Sequence, residues 1–364
     1  MPRAAVSRSP GAPAGWLVIG TGRHADRFGL PGLARARNAT AVALCGSDPD
    51  HTAALAARHR VPRWGHSIEA LLDDPAVTHV YVCSGNERHE QQTAAAAAAG
   101  RPVLCEKLLG PDAATARRMV DTSRDHAVAL GTAYHLRHNA AHQRAWQLVA
   151  GGVVGDLLRV SVDYLHATGP ADTTARLGAS RQVGTPSRGA IAGTGTHAID
   201  LARWFLRDDL VSVSATMSEA GADKDAGPAA GPARIVQVTG TSARGALVTL
   251  TAGRAPFPGN EVTLIGTRGH VRITGSIGYH GGGVVQIVSG QLERTAEVAP
   301  HDVYSAQFEA FAAAVAAGEP PSASGADGLA ALQVAAAAEQ SLARGDEPGA
   351  PVAVDGIRVP EGAP

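Results

Sequence analysis

Apolar residues in the first third of the chain gather into short, nearly unbroken runs. They fall at Trp16 to Gly20 (WLVIG), Ala41 to Cys45, around Arg63-Trp64, Val77 to Cys83, Pro102 to Cys105 and Val128 to Ala133. Runs of this length, apolar throughout, predict strands buried on both faces. Helical stretches separate them: an amphipathic segment to about Asn38, then Thr52 to His59, Ser67 to Leu72, Glu87 to Ala99 and Asp112 to His126. Ser67 is placed to cap its helix with Glu69 in the first turn, and Gly100 ends the Ala-rich one. Strands alternating with helices need crossover connections, hence a doubly wound parallel sheet with helices on both faces, an α/β class.

The pattern changes after about residue 135. A helix, Asn139 to Gly151, precedes long strand-like runs: Leu157 to His166, Leu210 to Met217, Ile235 to Thr241, Ala246 to Ala252, Asn260 to Gly266, His270 to Thr274 and Gly283 to Val288. Short turns such as TRGH between them predict hairpins in a large, open, mostly antiparallel sheet. Gly221 to Pro232 is Gly/Ala/Pro-rich and reads as a mobile surface loop. Two helices follow, Tyr304 to Ala317 and Asp327 to Arg344. The expected organisation is a disordered tail over 1–15, a Rossmann-type domain over 16–135, and an α+β domain over 136–364.

Composition narrows the possibilities. The 364 residues carry 32 Lys+Arg against 33 Asp+Glu, a formal charge of −1. Without a basic block, nucleic acid and anionic membranes are poor partners. No apolar run reaches the roughly 18 residues a bilayer span needs. The first 15 residues lack the apolar core of a signal peptide, which points to a cytoplasmic protein. Cys45, Cys83 and Cys105 form no CxxC pair and sit in apolar runs, so they read as reduced core thiols.

The first strand runs into Gly20-Thr21-Gly22-Arg23-His24-Ala25, a GxGxxA turn opening a helix. The first glycine permits the tight turn, the second lets backbone approach a pyrophosphate, and the small third residue lets helix and strand pack. The helix N-terminus then faces the phosphates. These six residues are expected to bind a dinucleotide. The second strand ends Cys45-Gly46-Ser47-Asp48, with Gly46 where an acid usually meets the adenosine ribose. Ser47 can hydrogen-bond either form of the cofactor. The missing acid removes repulsion against a 2′-phosphate, so NADP is favoured over NAD.

Further motifs complete a recognisable series: Val80 to His89 (VYVCSGNERH), Ala99 to Lys107 (AGRPVLCEK), Gly131 to His138 (GTAYHLRH), Gly152-Val-Val-Gly155, Gly195 to Trp204 (GTHAIDLARW) and Gly266-Thr-Arg-Gly269. Together with the glycine turn they resemble the glucose–fructose oxidoreductase/inositol dehydrogenase (Gfo/Idh/MocA) family over roughly residues 16 to 356. The resemblance implies a Rossmann domain joined to an open sheet that often mediates oligomers, here a homodimer or homotetramer. It also implies NAD(P)-dependent hydride transfer at a secondary alcohol or ketone of a sugar or cyclitol.

Residue by residue, the resemblance implies that Glu106 lies near the nicotinamide ribose and that Lys107 faces the reacting oxygen. Ser84, Asn86 and His89 would lie beside the cofactor, His89 being equally readable as an N-terminal helix residue with no ligand, and His197 would be the acid/base partner of the lysine. Asp200, three residues on, shares its helix face and either orients His197, touches substrate or is a plain helix-face acid. An ammonium at a ketone oxygen stabilises the developing charge and donates the proton, and an imidazole suits reversible proton transfer.

Two departures stand out. Gly193 occupies the position of the family's aspartate four residues before the histidine, and Leu108 replaces the proline after Glu-Lys, which argues against a cis peptide there. His135, His138 and His142 have helical spacing, but no carboxylate or cysteine joins them, so no metal site is expected. His135, Arg137 and His138 are expected to line the substrate cleft, and Arg176, Arg181 and Arg188 flank a loop that either covers it or is solvated. The expectation is an NAD(P)-dependent oxidoreductase acting on CH–OH groups of a small polyhydroxylated substrate. The alternatives are a cofactor-retaining non-redox enzyme, for elimination or glycoside cleavage, and a degenerate scaffold of the same fold.

Overall fold

A computed structural model describes residues 13–167, 190–220, 233–255, 258–290, 292–344 and 351–357. Residues 1–12 of the tail expected over 1–15, the arginine-flanked loop with Arg176, Arg181 and Arg188, and the loop 221–232 lie outside the described residues; Ala14 and Gly15, counted in that tail, already belong to the first strand, Ala14–Ile19. The chain forms two compact units, one from residues up to His138 together with Asp302–Leu329, the other from Asn139–His301 together with the residues from Ala330 onward. A single boundary near residue 135 did not anticipate the return of 302–329 to the first unit.

The first unit holds a six-stranded sheet of β1 (Ala14–Ile19), β2 (Ala39–Cys45), β3 (Arg63–Gly65), β4 (His79–Val82), β5 (Val103–Cys105) and β6 (Leu130–Thr132), in the order β3-β2-β1-β4-β5-β6. Every pairing is parallel. The strand order reverses between β1 and β4, which opens a crevice at their carboxyl ends where such sheets bind ligands. The helices are α1 (Leu30–Arg35), α2 (Pro49–His59), α3 (Ile68–Leu72), α4 (His89–Ala98) and α5 (Ala113–Asp125). Asp48, Ser67 and Asp112 cap α2, α3 and α5 by accepting backbone N–H bonds from His51, Ala70 and Thr115. The Asp48-Pro49 pair starts α2 three residues earlier than its apolar pattern suggested, because proline at N1 gives up a donor that no helix start can use. The expected helix from Glu87 is a short 3-10 turn, Asn86–Arg88, before α4.

The core of this unit gathers Trp16, Leu44, Tyr81 and Leu104 from the sheet with Phe308 and Phe311 from a late helix. Trp16 meets Phe308 edge-on at a ring distance of 5.1 Å. Each such aromatic buries the equivalent of about 2–3 kcal/mol of apolar surface, which explains why the late helix folds onto this sheet.

The second unit begins with α6 (Ala140–Ala150), capped by Asn139, and continues through β7 (Leu157–Ala167), α7 (Thr196–Leu206), β8 (Leu210–Ala220), β9 (Ala233–Ser242), β10 (Leu247–Ala255), β11 (Glu261–Gly266), β12 (Gly269–Thr274), β13 (Gly283–Ser289), β14 (Leu292–Val298) and β15 (Val352–Ala353). The strand order is β14-β13-β12-β11-β7-β10-β9-β8-β15. The pairing is antiparallel except between β7 and β10, and TRGH closes the β11–β12 hairpin. Val160, Val162 and Tyr164 share a buried face with Val248, Leu250, Val262 and Leu264. Strand β14 (LERTAEV) went unpredicted because it is an edge strand with polar residues on both faces. The late helices are α8 (Val303–Ala317), which belongs to the first unit, and α9 (Gly325–Ala343), in which both units meet along the chain. No helix among the described residues is long and apolar enough to cross a membrane.

Candidate active site

The glycine turn is built as its spacing predicts. Gly20 has φ +121°, and a Cβ on it would stand 2.8 Å from the carbonyl carbon and oxygen of Cys83 and 2.9 Å from Ser84 N. The turn thus presses against the end of β4 and leaves no room for a side chain. Gly22 is the opposite case, since nothing lies within 4 Å of where its Cβ would be. Bare backbone therefore faces open space just before the chain turns helical at residue 23. That cradle fits a pyrophosphate, and Ala25 is buried where close packing of helix and strand requires a small residue. The first turns are π-helical over Ala25–Gly29 before α1 takes over.

At the end of β2, a Cβ on Gly46 would collide with Thr52 Oγ1 and lie 2.5 Å from Thr21 Cγ2. Asp48 spends its carboxylate as the cap of α2, accepting from His51 N at 3.0 Å. Ser47 is exposed beside them. The usual acid is therefore sterically excluded at Gly46 and otherwise engaged at Asp48. Gly46→Asp is expected to cost about 1–3 kcal/mol by overpacking without a gain in NADH affinity. Thermal melting together with an NADH titration checks both halves, and an intact, NADH-preferring variant would contradict the steric account.

Glu106 and Lys107 follow β5 directly. Glu106 is only 8% exposed; its Oε1 accepts a 2.6 Å hydrogen bond from Tyr81 OH and lies 2.9 Å from His24 Nε2. Burial alone would raise its pKa, but His24, Tyr81 and Lys107 together hold it down to about 2. Glu106 is thus a firm carboxylate tied to the glycine turn, with one oxygen already engaged by the protein. Lys107 is half-buried. Burial pushes its pKa below the usual lysine range, partly offset by the Glu106 charge.

The peptide bond between Lys107 and Leu108 is cis, which corrects the expectation drawn from the missing proline. The chain after it is held from the side: His89 Nδ1 lies 2.9 Å from Leu108 O and 3.2 Å from Leu109 O. Local sequence could not reveal that support, because it comes from α4. His89 Nε2 is 3.3 Å from Ser84 O, and the ring is fully buried. The geometry makes His89, the first residue of α4, a brace between two loops, where either a cofactor contact or a helix residue with no ligand was expected. Ser84 Oγ donates to Gln92 Oε1 at 2.6 Å, and Asn86, part-exposed, opens the 3-10 turn after β4.

His135, Arg137 and His138 were expected in a substrate cleft, but the structure gives all three inward partners. Arg137 is buried, with its guanidinium 3.1 Å from Asp327 Oδ1 and a second bond to Ser322 O; a buried cation needs such pairing. His135 stacks on Tyr304 at 5.0 Å. His138 meets Ser322 Oγ at 3.2 Å, and burial with the nearby Arg137 and His135 pushes its pKa down to about 3. In the second unit His142 Nε2 pairs with Ser276 Oγ at 2.8 Å.

His197 stands in the first turn of α7, buried, with its ring 5.7 Å from that of Tyr164 on β7. Asp200 is buried one turn further on. Burial raises the Tyr164 pKa, so this phenol stays protonated beside the imidazole. Gly193 lies in a π-turn, Ile191–Gly195, and nothing stands within 4 Å of where its Cβ would be. Tyr81, Tyr164 and Tyr304 were not singled out from sequence. The only trace was the inward phase of each in its strand or helix, which equally describes a core residue.

A switch-point crevice, a bare-backbone turn at the first strand and a lysine at the end of β5 define a nucleotide-dependent oxidoreductase. The comparisons agree with that class. Residues 14–134 match the oxidoreductase family with an NAD-binding Rossmann fold, and residues 142–272 match the GFO/IDH/MocA C-terminal domain. The chain is 30% identical over 333 residues to a 1,5-anhydro-D-fructose reductase of Ensifer adhaerens, covering 91% of this chain and 96% of that one. Two crystal structures share the fold. One is an oxidoreductase from Agrobacterium radiobacter in complex with NAD+, L-tartaric acid and magnesium (TM-score 0.78, 18% identity, 94% and 99% of the two chains). The other is a 3-ketoreductase from Actinomadura kijaniata in complex with TDP-benzene and NADP (TM-score 0.70, 23% identity, 91% and 98%). The chain belongs to the Gfo/Idh/MocA family of oxidoreductases, and it is an NAD(P)-dependent enzyme acting on CH–OH groups.

Proposed function

We propose that the protein interconverts a ketone and a secondary alcohol on a sugar, cyclitol or related polyhydroxylated metabolite, with Lys107 as proton donor and acceptor and His197 assisting. The observation that carries this reading is Lys107 at the carboxyl end of β5, bearing a pKa lowered by burial and anchored through Glu106 to the glycine turn. Composition adds weight. Of 32 basic residues only Lys107 and Lys224 are lysines, and arginine, which does not give up its proton, cannot replace a reversible acid.

A bound nicotinamide supplies or accepts the hydride. Gly20 to Ala25 would hold its pyrophosphate, with Ser47 and Asn86 nearby. In reduction, Lys107 in its ammonium form donates the proton to the carbonyl oxygen and stabilises the charge that develops there. In oxidation, the neutral amine receives the hydroxyl proton. His197, its ring held beside Tyr164, would assist as an acid/base group. The name of the Ensifer relative supports a keto-sugar substrate. The same reading places two or four copies together through the open sheet, testable by light scattering, and a cytoplasmic location, where the three buried thiols stay reduced.

The test is calorimetric titration of nucleotide-stripped protein with NADPH and NADH, followed by keto-sugars, 1,5-anhydro-D-fructose among them, with the cofactor that binds. NADPH is expected to bind more tightly, since no acid opposes a 2′-phosphate at Gly46. Tighter NADH binding overturns the cofactor preference. If neither binds, the glycine turn is not the nucleotide site and the proposed chemistry at Lys107 fails.

A further inference from the structure

The proposed chemistry does not use the side chain of His24, although its geometry is specific. This residue belongs to the glycine turn, yet its ring points back into the protein, with Nε2 at 2.9 Å from Glu106 Oε1. Tyr304 closes on it edge-on at a ring distance of 5.6 Å, and Phe28 lies at 5.3 Å. Tyr304 is itself held between Phe28 and His135, each at 5.0 Å. An aromatic clamp therefore fixes the imidazole on the one carboxylate oxygen that Tyr81 also addresses.

We propose that His24 is a positioning residue for the proton-transfer centre: together with Tyr81 it holds Glu106 Oε1, and so governs how much of the Glu106 charge reaches Lys107. The inference rests on the reading of Lys107 as the proton donor. Each polar partner at Oε1 draws carboxylate charge away from the neighbouring ammonium, Tyr81 by its hydrogen bond and His24 by the close approach of Nε2. Fewer such partners leave a stronger anion beside Lys107, which then keeps its proton to higher pH. The direction agrees with Glu106, whose pKa is lowered most by His24 among its partners, and with Lys107, whose pKa burial lowers and the Glu106 charge lifts part of the way back.

The groups facing this centre come from several elements. They are Cys105 at the end of β5 with Glu106 and Lys107 after it, Tyr81 on β4 and Cys83 after it, His89 on α4, Tyr304 on α8 and His135 behind it. On the helix of His24 itself, Asp26 is engaged by Arg58 at 2.9 Å and His59 at 2.7 Å, and Arg23 and Arg27 flank the turn. Of these, only His24 and Tyr81 reach Glu106 Oε1 among the contacts described.

The scarcity of lysine makes the effect directly measurable without substrate. Reductive 13C-methylation of the full chain labels only Lys107, Lys224 and the amino terminus, and Lys224→Arg assigns the signals. Expected is a Lys107 titration midpoint that rises by roughly half a pH unit in His24→Ala and in Tyr81→Phe, and by less in His24→Gln, which keeps a donor. Midpoints unchanged in all three variants overturn the proposal, because a merely structural role would not move them selectively. The two readings fail separately. A shifted midpoint in a protein whose turnover survives loss of Lys107 would leave the coupling intact and remove the lysine mechanism.

Discussion

Lys107→Met is expected to lower kcat by about 10²–10⁴-fold, the usual contribution of a positioned general acid. Cofactor affinity should stay within about threefold. Methionine keeps the apolar stem and approximate volume of the half-buried side chain, so the loss is chemical and the thermal midpoint should move little. The pH profile provides the second signature. Burial lowers the Lys107 pKa despite Glu106. Reduction needs the ammonium, so its rate should fall with rising pH through that lowered pKa. Oxidation needs the neutral amine and should rise through the same value. Both limbs therefore lie below the ordinary lysine range, and both should vanish in Lys107→Met. A variant that turns over at the wild-type rate, or keeps the limb, would move the proton transfer to His197 or to solvent.

The features legible in the sequence were those fixed by neighbours along the chain. Strands β1, β4 and β5 were readable because both of their faces are buried, and α3 because Ser67 caps it. The glycine turn was readable because spacing alone dictates a tight backbone. What sequence missed depends on groups distant in the chain. Glu106 is held by Tyr81 and His24, the chain after Lys107 by His89 from α4, and Arg137 by Asp327. Each pairing joins residues at least eighteen apart, and no local pattern carries it. The inward turn of Arg137 shows the cost of reasoning from strand ends alone: a cation at the end of a parallel strand points to a ligand only if no carboxylate lies nearer in space. Gly193 was legible as an absence, and the open space at its Cβ shows that sterics do not demand glycine there.

Gly20→Ala should damage binding and stability together, because one backbone position serves both. Its φ of +121° is a conformation alanine enters only with strain, of order 1–3 kcal/mol. The added Cβ would also press on the Cys83 carbonyl and on Ser84 N, neither of which can yield like the tip of a flexible side chain. Together these predict a loss of about 2–5 kcal/mol. For a unit of this size that lowers the thermal midpoint by roughly 5–15 °C. If the turn relaxes by moving off β4, Gly22 leaves its cradle and His24 swings away from Glu106, so NADPH affinity should fall at least tenfold. Gly22→Ala serves as the contrast. Its Cβ meets nothing in the protein, so stability should hold while nucleotide binding weakens where backbone must approach the pyrophosphate. Should Gly22→Ala bind NADPH like the wild type, the open space beside it is not the phosphate cradle, and the nucleotide site has to be sought elsewhere along the crevice.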